Sequence, residues 1–108
     1  MLEIKSSSDL DSKIGSTDKL VVMFSAPWCG PCKAIKPALE RLTSEVNICC
    51  VNVEDFHDPT NKYIKYVQSL PTFLAYKNGL IFNFFSGANL AVIQSNIANL
   101  GGGGQMSP

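Results

Sequence analysis

The stretch Pro27-Trp28-Cys29-Gly30-Pro31-Cys32-Lys33 constrains the fold of this chain more than any other. It follows an unbroken apolar run, Leu20 to Phe24, and opens a segment of helical periodicity. A C-x-x-C pair at a strand–helix junction, inside a βαβ pattern, reads as a dithiol redox site. A helix beginning near Cys29 sets that sulfur beside the free N–H groups and positive dipole end of the first turn. That field favours the thiolate, the nucleophilic form. Cys32, three residues on, falls on the same helical face, near enough to close a small disulfide ring. Pro31 fixes φ early in the helix, where a missing N–H costs little.

Other segments follow in a fixed order: Ile35-Lys36-Pro37, Ser69-Leu70-Pro71-Thr72-Phe73, Lys77-Asn78-Gly79 and Phe85-Ser86-Gly87-Ala88-Asn89. Together with Trp28-Cys29-Gly30-Pro31-Cys32-Lys33, this ordered set resembles the thioredoxin family over nearly the whole chain, the C-terminal tail excepted. The resemblance implies reduction of protein disulfides by dithiol exchange. Cys29 would attack a substrate disulfide and Cys32 would resolve the mixed disulfide, leaving a Cys29–Cys32 bridge. It also implies a cis Leu70–Pro71 bond placed against the dithiol, a form open mainly to X-Pro bonds. The backbone of Leu70 would then pair with an extended substrate segment. Trp28, Gly30, Pro31, Leu70, Pro71, Gly87 and Ala88 would form the substrate-binding rim, with Gly87 keeping the approach clear of a side chain.

In two places the sequence departs from that family. Thioredoxins usually carry a buried aspartate six residues before the first active-site cysteine, and Met23 stands there. Their partner lysine on the neighbouring strand aligns with Cys50. Losing a carboxylate near the dithiol eases thiolate formation but removes a proton acceptor for Cys32. Replacing a buried ion pair by packed apolar groups stabilises folds by roughly 1–4 kcal/mol. The expectation is a stable, active domain whose second step is slower or shifted in pH.

The chain has 108 residues, enough for one domain with a real core. Its formal net charge of +0 favours neither nucleic acid nor an anionic membrane as partner. The first five residues carry no basic region before an apolar block, and the apolar runs are too short to span a membrane. The expected home is therefore the reducing cytoplasm, and the expected state a monomer.

Along the chain the pattern reads β-α-β-α-β-α-β-β-α. The expected fold is α/β, the thioredoxin fold: a central mixed sheet of about five strands flanked by four helices, parallel where helices connect strands and antiparallel at the hairpin. A strand over Glu3–Lys5 precedes a helix capped at Ser8 and ending near Gly15. The helix after Cys29 buries Ile35, Ala38, Leu39, Leu42 and Val46, with a kink at Pro37. Ile48 to Val53 reads as a second buried strand. Asp58-Pro59 marks a helix running to about Val67. Lys77-Asn78-Gly79 joins two strands as a hairpin, and Asn89 caps a last helix that buries Leu90, Ile93, Ile97 and Leu100. Residues 1–100 form the domain; 101–108, rich in glycine, read as a flexible tail or a linker.

Other readings of the remaining groups stay beside the main one. The C-x-x-C could be half a zinc site, but Cys49, Cys50 and His57 have poor ligand spacing. Cys49 and Cys50 read as small buried hydrophobes directed to opposite faces, or as an oxidation switch. His57 reads as a solvated loop residue. Phe73, Tyr76, Phe82, Phe84 and Phe85 read as core and sheet-face packing. No bound cofactor is expected. By resemblance, NADPH would act indirectly through thioredoxin reductase, with peroxiredoxins among the disulfide partners. The rival from another class is a binding module that uses the docking face with weak turnover; a third reading is a thiol oxidant or isomerase.

Overall fold

In the computed structural model, which describes residues 1–56 and 61–101, a five-stranded sheet carries helices on both faces. The elements are β1 (Leu2–Ile4), α1 (Ser7–Gly15), β2 (Lys19–Ser25), α2 (Gly30–Leu42), β3 (Asn47–Asn52), β4 (Thr72–Lys77), β5 (Leu80–Ser86) and α3 (Leu90–Gly101). Two 3-10 turns, Val53–Phe56 and Ile64–Tyr66, lie between β3 and β4. The strand order is β1-β3-β2-β4-β5.

β2 is the axis of the sheet. Its residues from Leu20 to Ser25 are all buried, as a strand covered on both faces requires. Alternation sorts them. Val21 and Met23 pack with Leu39 of α2, Ile93 of α3, and Phe73. Leu20, Val22 and Phe24 face the other way, against Leu10 and Ile14 of α1, Phe56 and Tyr63. Phe24 meets the Phe56 ring edge-on at a centroid distance of 6.1 Å.

Three α-helices stand where four were expected, among the described residues. The expected helix from Asp58 to Val67 reduces to the 3-10 turn Ile64–Tyr66; its starting residues, Asp58 and Pro59, and His57 lie outside the described residues. Pro71 disfavours helical backbone at the residue before it, and Gln68 to Pro71 form bends rather than a helix on the way into β4. The sheet also turns antiparallel earlier than expected. β1, β3 and β2 are mutually parallel, but β4 already runs antiparallel to β2, and the β4–β5 hairpin continues that sense. The connection from β3 delivers the chain to the far side of β2 with the opposite sense, so the antiparallel part of the sheet begins at β4.

Smaller expectations shift by a few residues. The cap of α1 is Ser6, whose Oγ accepts from the Asp9 N–H at 3.1 Å, and Ser8 lies exposed within the helix. α2 ends at Leu42, so Val46 is buried beyond it, tied back by its N–H to the Leu42 carbonyl at 3.3 Å. Ala38 is only half-buried, and the helix runs through Pro37 as one element. The hairpin turn is as expected: Asn78 and Gly79 take φ of 53° and 83°, the left-handed pair a two-residue turn needs. Asn89 caps α3, its side-chain oxygen accepting from the Val92 N–H at 3.1 Å. The expected tail beyond Gly101 lies outside the described residues.

Candidate active site

The end of β2 hands the chain to α2 across four residues, Ala26 to Cys29, and that handover builds the site. Cys29 is the N-cap of α2: its Sγ accepts from the Cys32 N–H at 3.2 Å. The cap is thus made by the reactive sulfur itself. A thiolate there would keep the same donor, with Pro31 in the first turn holding the backbone in place. Cys29 and Cys32 are joined by a disulfide with their Cα atoms 5.3 Å apart. Both are nearly inaccessible, at 4% and 1%, so a partner must reach the sulfur through an opening in the surface.

That opening is a cleft of about 440 Å³ in front of Cys29. Trp28, Gly30, Pro31 and Leu70, four of the expected rim residues, line it. Trp28 is 68% exposed, an apolar plate held out of the core. Its indole N–H donates to a Glu54 carboxylate oxygen at 3.1 Å, which sets the ring's direction. Glu54 was invisible to sequence reasoning. It lies 26 residues from Trp28, and no local pattern links an acidic residue after one strand to a tryptophan after another.

The Leu70–Pro71 bond is cis, as the resemblance implied. Pro71 is buried and does not line the cleft; its carbonyl accepts from the Gly87 N–H at 3.0 Å. Gly87 and Ala88 also stand outside the cleft lining. Gly87 has a reason of its own to be glycine: its φ is 98°, and a side chain there would meet open space.

Behind Cys32 lies a second, smaller cleft of about 210 Å³, lined by Ser25, Lys36, Cys50 and Asn52 among others. Met23 and Cys50, which replace the family's charged pair, are register partners on β2 and β3. Met23 is wholly buried in the same core layer as Cys32. Cys50 meets the Ser25 hydroxyl, Oγ to Sγ, at 3.4 Å. Cys49 faces the opposite layer and is fully buried; burial pushes its thiol up to about 12. The pair therefore diverges, as a regular strand dictates. Among the described residues no cluster of three or more His, Cys, Asp or Glu could hold a metal ion. Nor is any described helix long and apolar enough to cross a membrane.

A capped, bridged dithiol at the mouth of an apolar cleft defines a class: proteins that exchange thiols and disulfides with other proteins. The thioredoxin family model matches residues 2–99. Thioredoxin-3 of Dictyostelium discoideum is 37% identical over 98 residues, covering 90% of this chain and 93% of its own. Human thioredoxin is 42% identical over 87 residues, 77% of this chain and 81% of its own. In oxidised form, mitochondrial thioredoxin 3 of Saccharomyces cerevisiae superposes with a TM-score of 0.82 at 29% identity, covering 93% of this chain and 95% of that one. The chain belongs to the thioredoxin family and is a thiol–disulfide oxidoreductase, a protein-disulfide reductase by that membership. Family and bridge together favour this over the binding-module reading.

Proposed function

We propose that Cys29 is the nucleophile and Cys32 the resolving thiol of a thioredoxin recycled by thioredoxin reductase at the expense of NADPH. The Cys29 thiolate attacks one sulfur of a substrate disulfide, forming a mixed disulfide and expelling the other sulfur as a thiolate, which takes up a proton. Cys32 loses its proton and attacks the Cys29 sulfur; the second substrate sulfur leaves, is protonated, and the Cys29–Cys32 bridge closes. Two electrons and two protons pass to the substrate. The observation that carries this reading is the position of the Cys29 sulfur, at once the N-cap of α2 and an edge of the open apolar cleft.

Met23 offers Cys32 no base. Water in the small cleft beside Ser25 and Cys50 is then the proton acceptor, with the Lys36 side chain lining the same space. Trp28, Gly30, Pro31 and Leu70 receive the substrate chain, and Pro71, Gly87 and Ala88 support that docking edge from behind. Partners are disulfide-bearing proteins, peroxiredoxins among them; one similar solved structure concerns the thiol resolving mechanism of a yeast mitochondrial 1-Cys peroxiredoxin through glutathione and thioredoxin systems. The proposed compartment is the cytoplasm. Two free buried thiols, Cys49 and Cys50, fit a reducing environment, although some relatives are named as mitochondrial.

The test is NADPH-coupled reduction of insulin disulfides with a thioredoxin reductase, with Cys29→Ser as the blank. Robust turnover that vanishes in the variant is expected. A folded, fully reduced wild type that passes no electrons would overturn the assignment.

A further inference from the structure

The cleft at the dithiol does not end there. It shares Gln68 and Ser69 with a second cleft of about 400 Å³, whose lining adds Phe84 and Ser86. That cleft in turn shares Lys65 and Tyr66 with a third, of about 520 Å³, bordered by Lys62, Tyr76 and Ile81. Three hollows thus lie in series along one track of the surface, neighbours sharing walls, from Cys29 across the segment before Pro71 to the face of the edge strand β5.

The far end of the track is apolar and uncovered. On β4 and β5 the register pairs Leu74 with Phe84 and Tyr76 with Ile81, so these lie on the α1 side of the sheet. The 3-10 turn Ile64–Tyr66 covers β4 but leaves β5 open: Phe84 is 54% exposed, Ile81 40% and Leu80 74%. Phe84 lies against the Tyr66 ring at a centroid distance of 5.1 Å. This is packing, as expected of Phe84, but at the surface.

The charges beside it are basic. Lys62 is engaged by Asp11 at 3.1 Å, and Asp11 also accepts from the Tyr63 hydroxyl. Lys65 stands with its Nζ 5.4 Å from the Tyr66 ring centre, and among the described residues it makes no ion pair. A cation beside an aromatic ledge fits a carboxylate next to an apolar side chain.

We propose that this track is an extended subsite for the protein substrate, resting on the dithiol-exchange reading above. The occupant is the chain flanking the target cysteine, which leaves the dithiol over Gln68 and Ser69. It places an apolar side chain on Tyr66 and Phe84 and a carboxylate at Lys65. The disulfide substrates preferred by this protein therefore carry an acidic residue and an apolar residue near the reacting cysteine.

The experiment compares three substrates with the wild type, Lys65→Glu and Phe84→Ala. Two are disulfide peptides extended by about six residues, roughly 20 Å of chain. They are tested with the extension on either side of the cysteine, bearing Asp and Leu in one and Lys and Ser in the other. The third is hydroxyethyl disulfide, which reaches only the dithiol. The acidic peptide should show a kcat/KM about tenfold above the basic one at low salt, with the difference shrinking as salt screens it. Lys65→Glu should abolish that preference, Phe84→Ala should raise KM for the Leu-bearing peptide, and neither should alter hydroxyethyl disulfide reduction. Equal use of both peptides by the wild type, or variants that slow hydroxyethyl disulfide equally, would overturn the subsite. So would sedimentation that finds a dimer lost in Phe84→Ala, which would assign the patch to self-association. A wild type inert toward all three substrates would instead refute the dithiol reading itself.

Discussion

Two cysteine pairs lie in this small protein, and they share almost nothing but the residue type. Cys29 and Cys32 sit at a strand–helix junction, where helical spacing brings the sulfurs to one face and they bond. Cys49 and Cys50 sit mid-strand, where the two-residue repeat sends one to each side of the sheet. Both pairs are buried. What differs is the surroundings of the sulfur: a helix N-terminus, a neighbouring N–H donor and an open cleft for Cys29, but an apolar layer for Cys49. Reactivity follows from that field and access, not from sequence adjacency.

The largest break in the comparison is to remove the resolving member of the reactive pair. Cys32→Ser leaves Cys29 able to attack but removes the internal thiol that releases the substrate. Turnover should fall to background while a mixed disulfide accumulates on Cys29, visible by intact mass and lost on adding dithiothreitol. If Cys50, which lines the cleft behind Cys32, could substitute as resolving thiol, no adduct would persist and the two pairs would not be chemically separate.

Met23 is the seam between the pairs, packed in the layer of Cys32 and in register with Cys50. Met23→Asp buries a carboxylate with no partner lysine opposite. It should cost roughly 3 kcal/mol at neutral pH, the penalty of an uncompensated buried charge. Burial raises such an acid above its unfolded value, so the loss should be small at about pH 4 and grow as pH rises toward 7. Urea unfolding at the two pH values measures it. The new base beside Cys32 should also move the pH profile of turnover. An unchanged stability and an unchanged profile together would show that Met23 has no part in setting this site.

Where the sequence was legible, the signal was local. The run from Leu20 to Phe24, the Asn78-Gly79 turn and the Asn89 cap each specify their own structure within a few residues, and all three stand. The dithiol was legible for the same reason: cap, proline and spacing lie within one turn. The misses are features that only assembly creates. The antiparallel sense of β4 depends on how the chain from Val53 to Pro71 crosses the sheet, which no periodicity encodes. Phe84 reads as any strand aromatic until the described part of the helix expected near it, residues 61–67, holds only a short turn. Glu54 reaches Trp28 only because two loops meet.

The mildest test concerns the quiet pair. Burial raises the Cys49 thiol from 9.0 to about 12, and Tyr76 likewise from 10.0 to about 12. In each case the neutral form is the folded one. The unfolded thiol ionises first, so the unfolded state holds fewer protons between pH 9.0 and about 12. Stability from this source is therefore full below pH 9.0 and declines as pH rises toward about 12. Cys49→Ala should remove one proton from that linkage and flatten the alkaline slope by about 1.4 kcal/mol per pH unit, leaving the share due to Tyr76 and to Tyr63, whose hydroxyl is also raised by burial. Urea unfolding across the alkaline range reads the slope directly. An unchanged slope would mean that Cys49 ionises in place, and the contrast between the two pairs would then rest on access to a partner rather than on burial of the sulfur.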